Sequence, residues 1–439
     1  MNDYPSTVME RLSSIIYELS KSPELYVNNP GVDFTRDRKL PFETVLQLLI
    51  SMGGNSIYNE LLTSRGYDIN TATTSAFVQQ RAKILPCVFE FLLHEFTGAH
   101  TDLRKYRDYR LLATDGSSLH IPTNPYDVDT YFQNNAGEKG YNLLHLNAMY
   151  DLCNRIYVDS LVQPGRLLNE KRALTDMVDR SRIDGKVIVI ADRSYESYNN
   201  FAHIEEKGWN YLIRVKDLDS NGILSGLKLP DDDEFDVRVT RALIRRQTKE
   251  VKANPDVYKH ISTNSTFDYL ESRSNDVYII SFRVVRFKIT DDTYETIITN
   301  LDSCDFPPAE LKILYHMRWG IETSFRELKY AVGLANFHSK KREYIVQEVF
   351  ARIIMYNFAE MITTHVIITK KDSKHAHQVN FTVAIDVCRQ FMRVCFWYIG
   401  LPPDVEALIG KNTLPVRPGR SDKRNIRSKT AVSFLYRVA

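Results

Sequence analysis

Apolar residues recur every three to four positions through most of the first hundred residues. VMERLSSIIYELS, PFETVLQLLISMG, TSAFVQQRAKI and CVFEFLLHEF each carry this spacing and predict helices, with Pro41 placed to open one of them. From Tyr109 the period changes. RLLATD is a short apolar run ending in an acid, and the Gly-Ser-Ser that follows reads as a turn. YNLLHLNAMYD and RIYVDSLVQPG form two strand-like runs about an Asp-Leu-Cys-Asn turn, which predicts an antiparallel hairpin. Next come a helix (NEKRALTDMVDRSRI), a buried strand (KVIVIAD), a helix closed by Gly208 (SYNNFAHIEEKG) and another strand (NYLIRVK). After Lys216 the alternation stops. FDVRVTRALI, DVYIISFRVVRFKI and TYETIITN predict an inserted, mostly β subdomain. Helical spacing resumes in LKILYHMRWGIETSFRELKYAV, where Leu314, Met317, Ile321, Phe325, Leu328 and Val332 make one core-facing stripe of a single helix. The strongly helical segment from Glu343 to about Gly400 is expected to pack behind it.

A chain of 439 residues exceeds what one hydrophobic core usually serves, so two or three domains are expected. With 43% hydrophobic and 26% charged residues it reads as globular. The longest apolar stretches, Ile345 to Ile368 and Phe381 to Ile399, are interrupted by Glu348, Arg352, Glu360, Arg389 and Arg393, as suits core helices rather than membrane spans. The first residues show no basic segment ahead of an apolar run, so no secretory signal is visible. Five scattered cysteines without a CxxC pair fit a reducing compartment.

A formal charge of +2 does not announce a nucleic-acid binder, but its distribution is uneven. Lys411, Arg417, Arg420, Lys423, Arg424, Arg427, Lys429 and Arg437 face only Asp422 in the last stretch, making a basic tail. Arg36, Arg38, Lys39, Gln79, Gln80 and Arg81 could let the N-terminal helices read a DNA groove, although a packing cap fits as well. His375 and His377 lie in a polar stretch that reads as a loop rather than a metal site.

One residue along from the apolar stripe of the 311–332 helix runs a second stripe, Tyr315, Arg318, Glu322 and Lys329. A carboxylate with cations a turn before and two turns after it suits a divalent metal and a gripped phosphodiester, though such stripes are commonly solvated ion-paired faces. Two further acids, Asp115 and Asp192, end predicted strands, where side chains escape the pleat and converge on a rigid support. A hairpin-forming strand trio followed by alternating helix and strand is the element order of the ribonuclease H-like fold, a mixed sheet flanked by helices.

Together these motifs resemble the DDE transposases of bacterial insertion sequences, in the insertion-sequence-four family. LLATDGSSLHIP carries the first Asp, IADRSYES the second, and Tyr315, Arg318, Glu322 and Lys329 match the family's Tyr-Arg-Glu-Lys signature, a likeness spanning roughly Leu111 to Lys340. Ser194 stands where the family often has Gly. Trp209, Trp319 and Trp397 all lie outside the central insertion, so a base-stacking Trp there is not carried over. The resemblance implies an α/β ribonuclease H-like catalytic core interrupted by a β-rich insertion, with helical N- and C-terminal regions. The expected boundaries are 1–105 for a helical DNA-end-binding domain, 106–216 and 305–340 for the core, 217–304 for the insertion and 341–439 for the helical C-terminal region with its basic tail.

It further implies that Asp115, Asp192 and Glu322 are catalytic and hold Mg²⁺, with Mn²⁺ able to substitute. Tyr315, Arg318, Lys329, Arg193, Tyr195, Lys340, Lys341 and Arg342 are the expected DNA-phosphate contacts. The implied activity is metal-dependent cleavage at transposon ends and strand transfer of the freed 3′-hydroxyl into target DNA. The partners would be double-stranded DNA, as terminal inverted repeats and target, and a second copy of the chain in a synaptic complex. The implied setting is the bacterial cytoplasm at the nucleoid. A structure-selective nuclease on the same fold, or a DNA-binding descendant without catalysis, are the alternatives.

Overall fold

The computed structural model describes residues 2–36, 38–135, 137–218, 220–272, 274–290, 293–366 and 376–416. His375 and the tail cations Arg417, Arg420, Lys423, Arg424, Arg427, Lys429 and Arg437 lie outside them.

Five helices open the chain: α1 (Asp3–Lys21), α2 (Phe42–Ser51), α3 (Ile57–Ser64), α4 (Thr74–Arg81) and α5 (Cys87–Gly98). Ser56 and Thr73 cap α3 and α4 by accepting the amides of Asn59 and Ala76, which fits their preference for helix N-caps. The α/β part follows with β1 (Arg110–Ile121), β2 (Tyr131–Phe132), β3 (Tyr141–Asp151), β4 (Ile156–Pro164), α6 (Glu170–Arg180), β5 (Val187–Ala191), α7 (Tyr198–Glu206) and β6 (Asn210–Val215). Then come β7 (Phe235–Ile244), α8 (Lys249–Ala253), β8 (Tyr258–His260), β9 (Val277–Thr290) and β10 (Thr293–Thr299). The chain continues with α9 (Pro308–Met317), α10 (Trp319–Tyr330), α11 (Arg342–Thr363), β11 (His377–Val379), α12 (Phe381–Trp397), α13 (Val405–Lys411) and β12 (Thr413–Pro415).

The first ten strands form one mixed sheet in the order β2-β3-β1-β5-β6-β10-β9-β7-β8, with β4 also on β3. The expected hairpin is present as β3 and β4, turning through Arg155 in the left-handed region (φ 56°). Gly208, at φ +75°, closes α7 as its missing side chain allows. The parallel strands β1, β5 and β6 are buried on both faces, and β5 shows why. Val187, Val189 and Ala191 belong to one core cluster, and Ile188 and Ile190 to the other.

Three expectations change. The Gly-Ser-Ser after Asp115 is not a turn, because β1 runs on to Ile121 paired with β3. The hairpin partner supplies ladder hydrogen bonds past the point where β5 stops, and these outweigh the local turn preference of Gly and Ser. The strands after Lys216 do not close a sheet of their own, since β10 pairs antiparallel with β6 and carries β9, β7 and β8 onto the edge of the same sheet. The helix expected over 311–332 is two helices, α9 and α10, joined at Arg318.

The N-terminal helices likewise share a core with the C-terminal ones. α1, α2 and α5 pack on α11, and α12 on α2 and α11. Arg81 of α4 is buried in an ion pair with Glu348 of α11 at 3.0 Å, and Arg393 of α12 pairs with Glu60 of α3. Burial alone would raise the Glu348 pKa, but His338 and Arg81 more than reverse it and hold the carboxyl below the usual range. Arg81 and the buried Gln80 are therefore packing residues, while Arg36, Arg38 and Lys39 are exposed on the connection to α2 rather than on a helix. Among the described residues no helix is long and apolar enough to cross a membrane.

Candidate functional site

β1 runs parallel to β5 up to the pair Thr114 and Ala191, and the residue after each is an acid, Asp115 still within β1 and Asp192 just past β5. Parallel pairing thus sets two carboxylates side by side at the carboxyl edge of the sheet. Beyond Ala191 the chain turns sharply. Asp192 Oδ1 accepts both the Ser194 amide (2.9 Å) and its hydroxyl (2.6 Å), which fixes the carboxylate against the 193–195 turn and leaves its second oxygen for other partners.

The third acid is brought by α10, which lies across β1. Ile321, Ser324, Phe325 and Leu328 face the core, and Lys329 donates to the Ser118 carbonyl of β1 at 3.0 Å. The joint before α10 is tight. The Arg318 amide bonds Tyr315 O at 3.1 Å and the Ile321 amide bonds Arg318 O at 3.1 Å, both three-residue steps that rotate α10 relative to α9. The rotation aims the Arg318 side chain between two acids. Its guanidinium lies 2.9 Å from Glu322 Oε1 and 3.9 Å from Asp115 Oδ2.

Electrostatics links the three carboxylates. Burial pushes the Asp115 pKa up to about 6, with Asp192 and Glu322 adding repulsion while the Gly116 amide and Arg318 work against the rise. Arg318 is buried as well, a cost that Tyr315, Glu322 and Asp115 overcome, so its own pKa is raised. Among the described residues no group of three His, Cys, Asp or Glu side chains is drawn together as a metal cluster. The carboxylates fit a hard divalent cation by chemistry, being partly exposed oxygen donors with one Asp192 oxygen free of the Ser194 bonds.

The other expected contacts divide. Tyr195 is fully buried in the core, and Tyr315 is 7% exposed in the cluster under the sheet with the Arg318 guanidinium 5.7 Å from its ring, so neither phenol lies on the surface. Arg342 is engaged with Asp127 and Asp129 at 3.4 Å each. Arg193, Lys340 and Lys341 are exposed.

One neighbouring group escaped sequence reasoning. His145 of β3 and Glu170, the first residue of α6, meet at 3.1 Å directly over Gly116. A Cβ at Gly116 would fall 2.2 Å from His145 Nε2 and 2.6 Å from Glu170 Oε1, so any other residue there would displace this pair. The His145 contact chiefly lowers the Glu170 pKa, and the nearby Ser194 hydroxyl adds to the effect. His145, Glu170 and Ser194 thereby form a chain of contacts leading to Asp192. A polar His within the apolar run of β3 was the one available signal.

No curated protein matches the chain in sequence. Among solved structures, the cryo-EM structure of a piggyBac transposase synaptic complex with hairpin DNA is similar over 95% of this chain and 87% of that one, at 11% identity and a TM-score of 0.48. The family model described as a transposase DDE domain matches residues 106–358, which contain Asp115, Asp192, Glu322 and the whole ten-stranded sheet. That match covers more than half of the chain, so the protein belongs to the transposase DDE domain family and is a DDE-type transposase, an enzyme of phosphodiester cleavage and transfer.

Proposed function

We propose that this enzyme is a DNA transposase of the insertion-sequence-four type, with a ribonuclease H-like core lengthened at one sheet edge by residues 217–304. It would cut the ends of its element and join the freed 3′-hydroxyl to target DNA, two copies of the chain acting on two ends. The observation that carries the reading is Asp115 and Asp192 set side by side by parallel pairing, with Glu322 joined to Asp115 through the shared Arg318 guanidinium.

Asp115, Asp192 and Glu322 would hold Mg²⁺, or Mn²⁺ in its place, which when bound activates the attacking hydroxyl and stabilises the leaving oxygen. The chain's own residues prepare that site. Ser194 fixes the Asp192 carboxylate, and Arg318 holds Glu322 and Asp115 in a balanced, ion-paired arrangement before substrate arrives. When phosphate and cation enter, Arg318 can pass from the carboxylates to a phosphate oxygen, an exchange of one charge-assisted partner for another. Lys329 locks α10 to β1 and so keeps Glu322 in reach of the strand ends. Arg193, Lys340 and Lys341, which are exposed, would follow the DNA backbone.

The test uses purified protein, Mg²⁺, DNA bearing the gene's own flanking ends and a supercoiled target, with Glu322→Gln in parallel. The expected result is cleavage at the ends and joining to target by wild type, with at least a hundredfold loss of both products in Glu322→Gln. Cleavage without joining would replace the reading with a structure-selective nuclease. Tight binding without cleavage under any divalent metal would leave a DNA-binding descendant.

A further inference from the structure

A cavity of about 500 Å³ opens against Arg193, the residue after Asp192, between the core and the strands that extend the sheet. Its wall includes Arg193, Lys216, Lys259 and the first turn of α7, Tyr198 to Asn200. Lys216 follows the last residue of β6, the strand next to β5, so the cavity continues the same carboxyl edge that carries Asp115 and Asp192.

Its charges are unbalanced. Glu196, the acid in the wall, spends both oxygens on main-chain amides, those of Lys216 at 2.9 Å and Ile223 at 2.6 Å. Lys171 donates to the Glu196 carbonyl, and Arg172 is paired with Asp176 and Asp268. Among the described residues no carboxylate pairs with Arg193, Lys216 or Lys259. Burial lowers the Lys259 pKa, with Arg241 adding repulsion, and both effects are relieved by an anion. At the N-terminus of α7, Ser197 makes no side-chain capping bond, which leaves first-turn amides and the positive end of the helix dipole toward the cavity. Three cations and an uncapped helix start form a site for a phosphate group, and the volume is that of a small-molecule pocket. The wall offers no exposed aromatic platform, since Tyr198 is 7% exposed and its hydroxyl is held by Arg241.

We propose that this cavity binds phosphodiester groups of the DNA strand adjoining the cut, with Arg193 as the link to the catalytic edge and Lys216 and Lys259 as the distal contacts. The assignment rests on the reading of the enzyme as one that acts on DNA. It adds a second anchor, contributed partly by the sheet extension, that fixes the strand's direction through the active site.

The experiment measures binding of a fluorescently labelled duplex of the gene's flanking end by anisotropy across a salt series. Wild type, Lys216→Ala/Lys259→Ala and Lys216→Arg/Lys259→Arg are compared, with thermal melting to verify the fold of each. The alanine pair is expected to bind about tenfold or more weakly at low salt, with a log–log salt slope shallower by up to about two, since each lost phosphate contact removes about 0.9. The arginine pair keeps the charges and is expected to restore both. An unchanged affinity and slope in the alanine pair, with wild type still binding DNA, overturns the cavity assignment alone. Failure of wild type to bind DNA at any salt overturns the functional reading together with it. A parallel titration with ATP separates the remaining source of phosphate. Tight ATP binding lost in the alanine pair, with DNA binding unaltered, assigns the cavity to a free nucleotide and overturns the proposal.

Discussion

Asp115 shows at the scale of one residue that the site is held against a stability cost. Its pKa rises from 3.8 to about 6 in the folded chain, chiefly through burial and then through Asp192 and Glu322. A carboxyl raised on folding binds more protons in the native than in the unfolded state between those values. Stability therefore falls as pH rises from about 4 to about 6, and the full cost stands above that range. Asp115→Asn removes the charge that causes it. The metal-free variant is expected to gain up to about 3 kcal/mol over wild type at pH 7 and to approach it near pH 4. Calorimetric melting at the two pH values checks this, and an equal or lower melting temperature at pH 7 would contradict it. Asp115, Asp192 and Glu322 were legible in the chain because each is an acid closing an apolar run or standing on a helix face, although β1 carries on past Asp115 to Ile121. The inward burial of Tyr195 and Tyr315 was not, because nothing in the local sequence marks which way an amphipathic phenol faces.

At the scale of elements, the joint at Arg318 and the pairing of β10 decide the geometry. Helical periodicity runs unbroken from Leu311 to Val332, yet two three-residue turns at Arg318 divide it. Such tightening costs little in backbone energy and is favoured here by the contact of Arg318 with Asp115, a gain visible only once β1 lies nearby. For β10, the runs of Val, Ile and Thr announce a strand but not its neighbour. Ile298 is fully buried opposite Ile213 of β6 and Val284 of β9, so it joins core and extension. Ile298→Ala is expected to destabilise by about 2–5 kcal/mol, with sheet and extension unfolding in one denaturant transition. Hydrogen exchange offers the sharper readout. Amides of β9 should be protected to the same degree as those of β5, and free exchange in β9 beside a protected β5 would mean that the extension opens by itself.

At the scale of the molecule, the helices before and after the sheet make one body. α11 is buried along nearly its whole length by α1, α2, α5 and α12, and the Arg81 and Glu348 pair lies inside that contact. Separating a buried pair leaves an uncompensated charge, worth about 3–5 kcal/mol, in addition to the exposed apolar faces. Residues 2–105 expressed alone are therefore expected to lack a cooperative thermal transition by circular dichroism, and to regain one when residues 341–416 are supplied in the same chain. A sharp, concentration-independent transition of 2–105 by itself would restore the view of an autonomous N-terminal domain.

The sequence by itself determined the kinds of elements, the hairpin, the order of strands and helices through Val215, and the three acids with their family resemblance. These are local in origin: periodicity of apolar positions, turn residues, and short motifs whose chemistry is legible one residue type at a time. Tertiary structure alone decided that β1 outruns its turn signal, that the later strands extend the core sheet, that Arg318 lies between Asp115 and Glu322, and that His145 and Glu170 meet over Gly116. Each depends on which distant segment supplies the partner, and hydrogen bonding, packing and charge pairing between residues far apart in the chain leave no local periodicity from which to read it.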